Sequence, residues 1–406
     1  MTVAANLTRE LADRFVMPTY KRLPVTFVRG EGTRLFDDAG KEYIDLVAGI
    51  AVVAIGHSHP AVTQAVADQA GRLTHTSNLY YTEPMARLAE RLTNLLGWDD
   101  GRVFFANSGA EANECAIKLV RKWAGQKFGP GRYETIAALG SFHGRTLETL
   151  AATGQPAKWK LFSPLPPGFR HVAYDDPAAI EGAVDESVSS VLLEPLLGEG
   201  GVVVPSDDYL PAVRKICDTH SLAFIADEVQ TGLGRTGEWF AHQASTGVPD
   251  VITLAKALGN GLPIGVCVAR GELATAFAAG DHATTMGGGP VVAAAALAVL
   301  ETIEKEHLVD NARRVGDYLK AKLSELISRH DLVTAVRGKG LLLAVQLSRD
   351  VAREVVLDSL TKGLLVNDVT PSAIRLSPPL TLSEADCDQA IEILDHVMTG
   401  VGDSSK

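Results

Sequence analysis

Two charged side chains that follow short apolar runs are the first candidates for chemistry in this chain. Residues 222–226 form an apolar run of buried-strand type that stops at Asp227, Glu228, Val229 and Gln230, ahead of a glycine-rich turn. Residues 251–254 stop at Ala255 and Lys256, with Gly259, Asn260 and Gly261 just beyond. Ligands of open α/β sheets bind past the carboxyl ends of the strands, so the carboxylate and the amine would face one crevice. A partly desolvated lysine there has a lowered pKa and attacks an aldehyde to form a Schiff base. An aspartate there can keep a pyridine nitrogen protonated, so that the ring absorbs electrons from a carbanion. Together they meet the binding needs of pyridoxal 5'-phosphate. Taken singly, each charge reads more readily as a solvated surface group.

Other stretches supply the remaining parts. Asn107, Ser108 and Gly109 stand between a strand-like run, 103–106, and a helical pattern, 110–124, with Ala116, Val120 and Trp123 on one stripe. A strand, a small polar turn and a helix aim free backbone N–H groups at a phosphate, although Ser108 would serve equally as an ordinary N-cap. The strand candidate 136–139 leads to Ser141, Phe142, His143, Gly144 and Arg145. Phe142 could stack on a planar ring and Arg145 could clamp a carboxylate; a core phenylalanine beside an exposed arginine is the plainer alternative. Residues 191–193 lead to Glu194, Pro195 and then Gly198, Glu199, Gly200 and Gly201. His57 and His59 have no third ligand nearby, so they read as a satisfied loop pair at a helix start, and no metal is expected.

Positioning these residues takes a sheet. Short β-type runs open at Val103, Ile136, Val191, Leu222, Val251 and Ile264, most of them separated by helix-length segments. That alternation predicts an α/β fold, a mainly parallel sheet covered by helices. Residues 25–47 predict a small antiparallel meander, 48–56 are apolar and punctuated by glycine, and 154–168 read as an irregular loop. Helices are predicted over 61–73, 84–96, 290–305, 308–329, 349–362 and 384–398, with short strands at 333–336, 341–347, 364–366 and 374–376. The expected division is an N-terminal segment, 1–60, a large cofactor-binding domain, 61–305, and a C-terminal domain, 306–406, the two ends sharing a smaller α+β unit. Ser383 with Asp386 resembles a capping box, and only the last few residues read as disordered.

Composition sets the outer limits. With 46% hydrophobic and 21% charged residues in 406, the chain has the make-up of a soluble globular protein of two or three domains. A formal net charge of -11 argues against nucleic acid or an anionic membrane as partner. The four cysteines, Cys115, Cys217, Cys267 and Cys387, lie far apart, which disfavours a zinc site and a secreted disulfide framework. Residues 1–15 show no secretory pattern, and the longest apolar run, 291–300, is too short to span a bilayer, so a cytoplasmic location is expected.

Asn107-Ser108-Gly109, Phe142-His143-Gly144-Arg145, Gly198-Glu199-Gly200-Gly201, Asp227-Glu228-Val229-Gln230 and Lys256, in this order, resemble the class III ω-aminotransferases, pyridoxal-phosphate enzymes of fold type I. The resemblance covers 17–398, and within the class it is nearest to the sub-group acting on N2-acetylornithine. It implies that Lys256 holds the cofactor, that Asp227 partners the ring nitrogen, and that Gln230 approaches the ring hydroxyl. Phe142 and Val229 would pack on the two ring faces. Glu228 belongs to the same cofactor-binding motif. Ser108 and Gly109 would cradle the phosphate with Thr285 from the neighbouring subunit of a homodimer. Arg145, with Thr284, would bind a substrate carboxylate. Arg375 would receive the α-carboxylate of glutamate, and Glu199 would cover it when the other amino donor is present. The implied reaction carries a terminal amine to 2-oxoglutarate. Ornithine, succinylornithine, succinyldiaminopimelate, 4-aminobutyrate and carrier-linked donors remain open, as does a related aminomutase or decarboxylase. The chain departs from the pattern at Met286, where an aromatic is usual, and at Gly289, where the usual motif has asparagine before Pro290.

Overall fold

The structure, a computed structural model, describes residues 3–403; residues 404–406, among those expected to be disordered, lie outside the described residues. A seven-stranded sheet carries the chemistry. Its strands lie in the order Arg102–Ala106, Gly265–Ala269, Val251–Leu254, Ala223–Asp227, Val188–Leu193, Glu134–Ala138 and Phe169–Val172. All neighbours run parallel except Gly265–Ala269, which is antiparallel to both of its partners. Four of these strands, from Val188, Ala223, Val251 and Gly265, are buried at every residue, as a sheet covered on both faces requires. Because Gly265–Ala269 runs backwards, it begins at the edge where Asp227 and Lys256 end. The parallel sheet is therefore as expected, with one reversal. Phe169–Val172 was unforeseen: it is a half-buried edge strand whose Arg170 and His171 interrupt any apolar run.

The chain ends build two smaller sheets. Phe27–Glu31, Arg34–Asp37 and Glu42–Asp45 form the predicted antiparallel meander, and Leu364–Leu365 pairs in parallel with its last strand. Val333–Lys339, Leu342–Leu347, Ala373–Leu376 and Asn367–Thr370 form the other, which places Arg375 on a strand. One continuous core joins these parts, with Ile44, Leu88, Val299, Leu319, Val345 and Leu376 all in it. Helices Pro290–Lys305 and Leu308–Arg329 carry much of that core along their apolar stripes. Helix Glu384–Asp403 starts at the expected box: Asp386 N donates to Ser383 Oγ at 3.1 Å, and Ser383 N donates to Asp386 Oδ2 at 3.1 Å. Among the described residues no helix is long and apolar enough to cross a membrane.

Residues 48–51 make an unforeseen turn. Ala48, Gly49, Ile50 and Ala51 have φ of 48°, 65°, 68° and 59°, a stretch of left-handed backbone. Each non-glycine residue there costs about 1–2 kcal/mol, so the surroundings must hold it. Asp45 Oδ1 accepts from the amides of Val47 and Ala48 at 2.8 and 2.9 Å, and its Oδ2 meets His57 Nε2 at 2.7 Å. Asn260, just past Lys256, accepts from Ile55 N and donates to Gly56 O, both at 3.0 Å. The turn is thereby tied to the Lys256 loop and brings Val52 to the main cavity. His59 Nδ1 accepts from Ala61 N and caps helix Pro60–Ala70, so both histidines are satisfied loop residues. Hydrophobic patterning reads burial but not the sign of φ, which is why this turn escaped it.

Candidate active site

A cavity of about 460 Å³ opens at the carboxyl edge of the large sheet, lined by Ser108, Phe142, Asp227, Lys256 and Glu199 among others. Asp227 ends its strand almost fully buried. Its Oδ2 accepts from Asn113 Nδ2 and faces His143 Nδ1, both at 2.8 Å, while Oδ1 accepts from Val229 N at 3.0 Å. Thr253 Oγ1 donates to Asn113 Oδ1 at 2.8 Å, so the Asn113 amide has one orientation. Lys256 follows the next strand with a left-handed φ of 42°, a conformation that turns its side chain out of the sheet edge and into the cavity. Its amine has no hydrogen bond or ion pair among the described residues. Burial lowers its pKa, and the pull of Glu199 in the other direction does not cancel that effect.

One end of the cavity is a helix start. Ser108 caps the 20-residue helix Gly109–Phe128, its Oγ accepting from Glu111 N at 3.2 Å. The amides of Gly109 and Ala110, which line the cavity, have no acceptor among the described residues. Gly265 fixes the position of this turn: a Cβ there would lie 2.0 Å from the carbonyl oxygen of Ser108, so only glycine lets the reversed strand pass so close.

At the far end, Arg375 is almost fully buried on its strand. Its Nη1 donates to Glu199 Oε1 at 2.5 Å and to Gln230 Oε1 at 3.2 Å, and its Nη2 donates to Asn367 Oδ1 at 2.7 Å. Burial alone would raise the pKa of Glu199, but Arg375, with Lys256, outweighs it and holds the carboxyl below its ordinary range. Gln230 Nε2 reaches Glu199 Oε1 at 3.4 Å, so this amide bridges both members of the pair. Gly198 allows that approach, since a Cβ there would lie 2.1 Å from Gln230 Oε1. Glu194 braces two loops at once: Oε1 accepts from Phe142 N at 2.8 Å and Oε2 from Gly198 N at 3.0 Å. Burial pushes its carboxyl up to about 7.

Of the residues expected from sequence, Ser108, Gly109, Phe142, Arg145, Glu199, Asp227, Val229, Gln230 and Lys256 line this one cavity, and Arg375 stands directly behind Glu199. Three do not. The Glu228 carboxylate turns away, accepting from Thr231 Oγ1 at 2.7 Å and from the amides of Ala241 and His242 at 2.9 and 2.8 Å. Its neighbour Asp227 faces the cavity, and side chains alternate along an extended strand end, so the Glu228 carboxylate braces the next loop. Thr284 Oγ1 accepts from Gly287 N at 3.1 Å and lies outside the cavity wall; Thr285 is exposed and also lies outside it. Asn113, His143 and Glu194 had no assigned role. Asn113 could have been found, because it falls one turn before Ala116 on the apolar stripe, where an unpaired polar group would be costly. Nothing local in the sequence marks the other two.

These features fit pyridoxal phosphate on the structure's own terms: a buried carboxylate with fixed donors, an unpartnered and desolvated amine, and two free amides at a helix start, all on one cavity. Comparison with known proteins agrees. The sequence profile of the family described as Aminotransferase class-III matches residues 15–398. An acetylornithine aminotransferase of Caldanaerobacter subterraneus subsp. tengcongensis is 47% identical over 389 residues, 96% of this chain and 98% of the relative. One from Mycolicibacterium smegmatis is 47% identical, covering 97% of this chain and 98% of the relative. Among solved structures, the ornithine aminotransferase of Toxoplasma gondii ME49 superposes with a TM-score of 0.94 at 31% identity, over 98% of this chain and 96% of that one. The acetylornithine aminotransferase of Elizabethkingia anophelis gives 0.87 at 32% identity, over 98% and 99%.

Proposed function

The chain belongs to the class-III aminotransferases, pyridoxal-phosphate-dependent enzymes, and we propose that it transfers the terminal amine of N2-acetyl-L-ornithine to 2-oxoglutarate. The products are N-acetyl-L-glutamate 5-semialdehyde and L-glutamate, a step of arginine synthesis. The relatives named acetylornithine aminotransferase support this choice of donor. The observation that carries it is the Glu199–Arg375 pair at 2.5 Å on the cavity that also holds Lys256 and Arg145. Such a pocket can take two substrates of different charge in turn. A buried arginine left alone would be costly, and a carboxylate that can be displaced neutralises it until a substrate carboxylate arrives.

Bound here, pyridoxal phosphate supplies an electron sink for the charge left when the substrate carbon loses a proton. Each residue then has a task. Asp227, held by Asn113 and the Val229 amide, would keep a proton on the ring nitrogen of the bound cofactor. Lys256 Nζ, whose pKa burial lowers, takes the proton from the carbon that bears the substrate nitrogen and later returns one. Phe142 and Val229 would hold the ring from two sides, and the amides of Gly109 and Ala110 would donate to the phosphate. Arg145 orients the distal carboxylate of the substrate. Val52, Leu262, Pro263 and Ile264 form the apolar wall that limits water. Residues 61–305 read as the cofactor-binding unit, with both chain ends forming the part that carries Arg375. Thr285, exposed and outside its own cavity wall, suits a homodimer in which each chain lends it, with Thr284 beside it, to the other's site.

The test is a pair of half-reactions. N2-acetylornithine alone should bleach the visible absorption of the bound cofactor, and 2-oxoglutarate should restore it. If another diamine bleaches it and acetylornithine does not, the donor is wrong; release of carbon dioxide on turnover would point to a decarboxylase instead.

A further inference from the structure

The exchange at Arg375 raises a question of where Glu199 goes. When a substrate carboxylate takes Arg375, the Glu199 carboxylate is left in the cavity that Phe142 also lines, only partly open to water, and an uncompensated charge there is unfavourable. Arg145 cannot serve, because in that half-reaction it holds the other carboxylate of the same substrate.

A second cation stands nearby. Lys158 is half-buried, its Nζ 5.0 Å from the centroid of the Phe142 ring, and that Nζ has no ion pair or hydrogen bond among the described residues. Its backbone is not loose. Gln155 Nε2 donates to Ser141 O at 3.1 Å, Gly154 N donates to Ser141 Oγ at 3.0 Å, and Trp159 Nε1 donates to Thr153 O at 2.9 Å. These bonds fix the short turn Pro156–Lys158 against the loop that carries Phe142. Glu199 belongs to the same neighbourhood, because Glu194 ties the Phe142 and Gly198 amides together. Lys158 thus stands against the Phe142 ring and Glu199 lines the cavity that this ring also lines, both on anchored backbones and each on a flexible stem. Burial and Arg145 lower the pKa of Lys158, and Glu199 is the carboxylate that opposes them.

We propose that Lys158 is the cation that receives Glu199 when a substrate carboxylate displaces it from Arg375. The gate then moves a carboxylate between two cations, and Lys158 is a positioning residue for the acceptor half-reaction. This inference rests on the Glu199–Arg375 exchange proposed above.

The test follows both half-reactions spectrally in the holoenzyme, in Lys158→Met, Lys158→Arg, Glu199→Ala and the double variant Glu199→Ala/Lys158→Met. Lys158→Met should raise the half-saturating concentration of 2-oxoglutarate about tenfold with little change in its maximal rate, and should affect the amine half-reaction several-fold less. Lys158→Arg should restore it. In the Glu199→Ala background the Lys158→Met change should add less than about twofold, because the partner it serves is gone. An undiminished effect in that background means that Lys158 acts on the substrate directly, and equal effects on both half-reactions, or none, mean that it serves no gate; each overturns the proposal. If Glu199→Ala by itself alters neither half-reaction, the exchange at Arg375 fails, and this inference falls with it.

Discussion

Around Asp227 the polar atoms are held by neighbours in the sheet and its covering helix, whereas Glu199 and Gln230 reach Arg375 from other elements and only Asn367 holds it from its own sheet. Asp227 takes bonds from Asn113 on helix Gly109–Phe128, from its own turn at Val229 and from His143, and Thr253 on the adjacent strand locks Asn113 in turn. Glu199, Gln230 and Arg375 come from a glycine-rich loop, a strand end and a separate sheet, and meet only through their side chains. One end of the cavity is held by its own sheet and helix, which suits a permanent cofactor; the other is held by side chains from separate elements, which suits the proposed exchange of partners.

Breaking the fixed end should have the larger consequences. Lys256→Ala should lower turnover by at least about 10³-fold, since it removes both the attachment and the proton carrier, and it should remove the visible absorption of the holoenzyme. Asp227→Asn keeps the shape but not the charge, and should cost about 10²–10³-fold in kcat while cofactor still binds. Activity near that of the native enzyme in either variant would show that the fixed end is assigned wrongly.

Disturbing the movable end should change preference more than rate. Glu199→Ala leaves the buried Arg375 without its carboxylate, and should shift relative kcat/KM about tenfold in favour of glutamate over the terminal amine, or about 1.4 kcal/mol. Because the Glu199 side chain keeps 26% of its exposure, the accompanying loss of stability should fall short of the roughly 3–5 kcal/mol of a fully buried pair. Unchanged relative rates on the two donors would remove the gate. The smallest effect concerns pH. Burial lowers the Lys256 pKa, and only the unprotonated amine reacts, so cofactor capture by the cofactor-free protein should rise with pH about a midpoint below the ordinary lysine value of 10.5. Mixing experiments from neutral to alkaline pH would measure it, and a midpoint at or above 10.5 would mean an exposed, unperturbed lysine.

The same contrast explains what could be read from the sequence. Asp227, Lys256 and Ser108 each stand where a local pattern ends, a strand run or a helix start, so the carboxyl edge of the sheet gathers them without further information. Asn113 was within reach by the same reasoning, as the polar residue on an apolar stripe. The reversed strand Gly265–Ala269 and the left-handed turn at 48–51 were not, because apolar runs carry neither strand direction nor the sign of φ. At the other end, the residues of the gate were named only through resemblance, and their contact across 176 positions of chain became visible only in the fold. Glu228 shows the limit of motif reading: it stands between two cavity residues in sequence and faces the opposite way in space. Lys158 shows the other limit, since nothing in the Pro/Lys-rich stretch around it distinguishes one lysine from the next.

The account depends most on Lys256 Nζ being the atom that holds the cofactor opposite Asp227. Reducing the holoenzyme with borohydride, digesting it and locating the cofactor mass by peptide mass spectrometry tests this directly. The mass should sit on the peptide containing Lys256 and nowhere else; finding it on another lysine, or on none, would contradict the account.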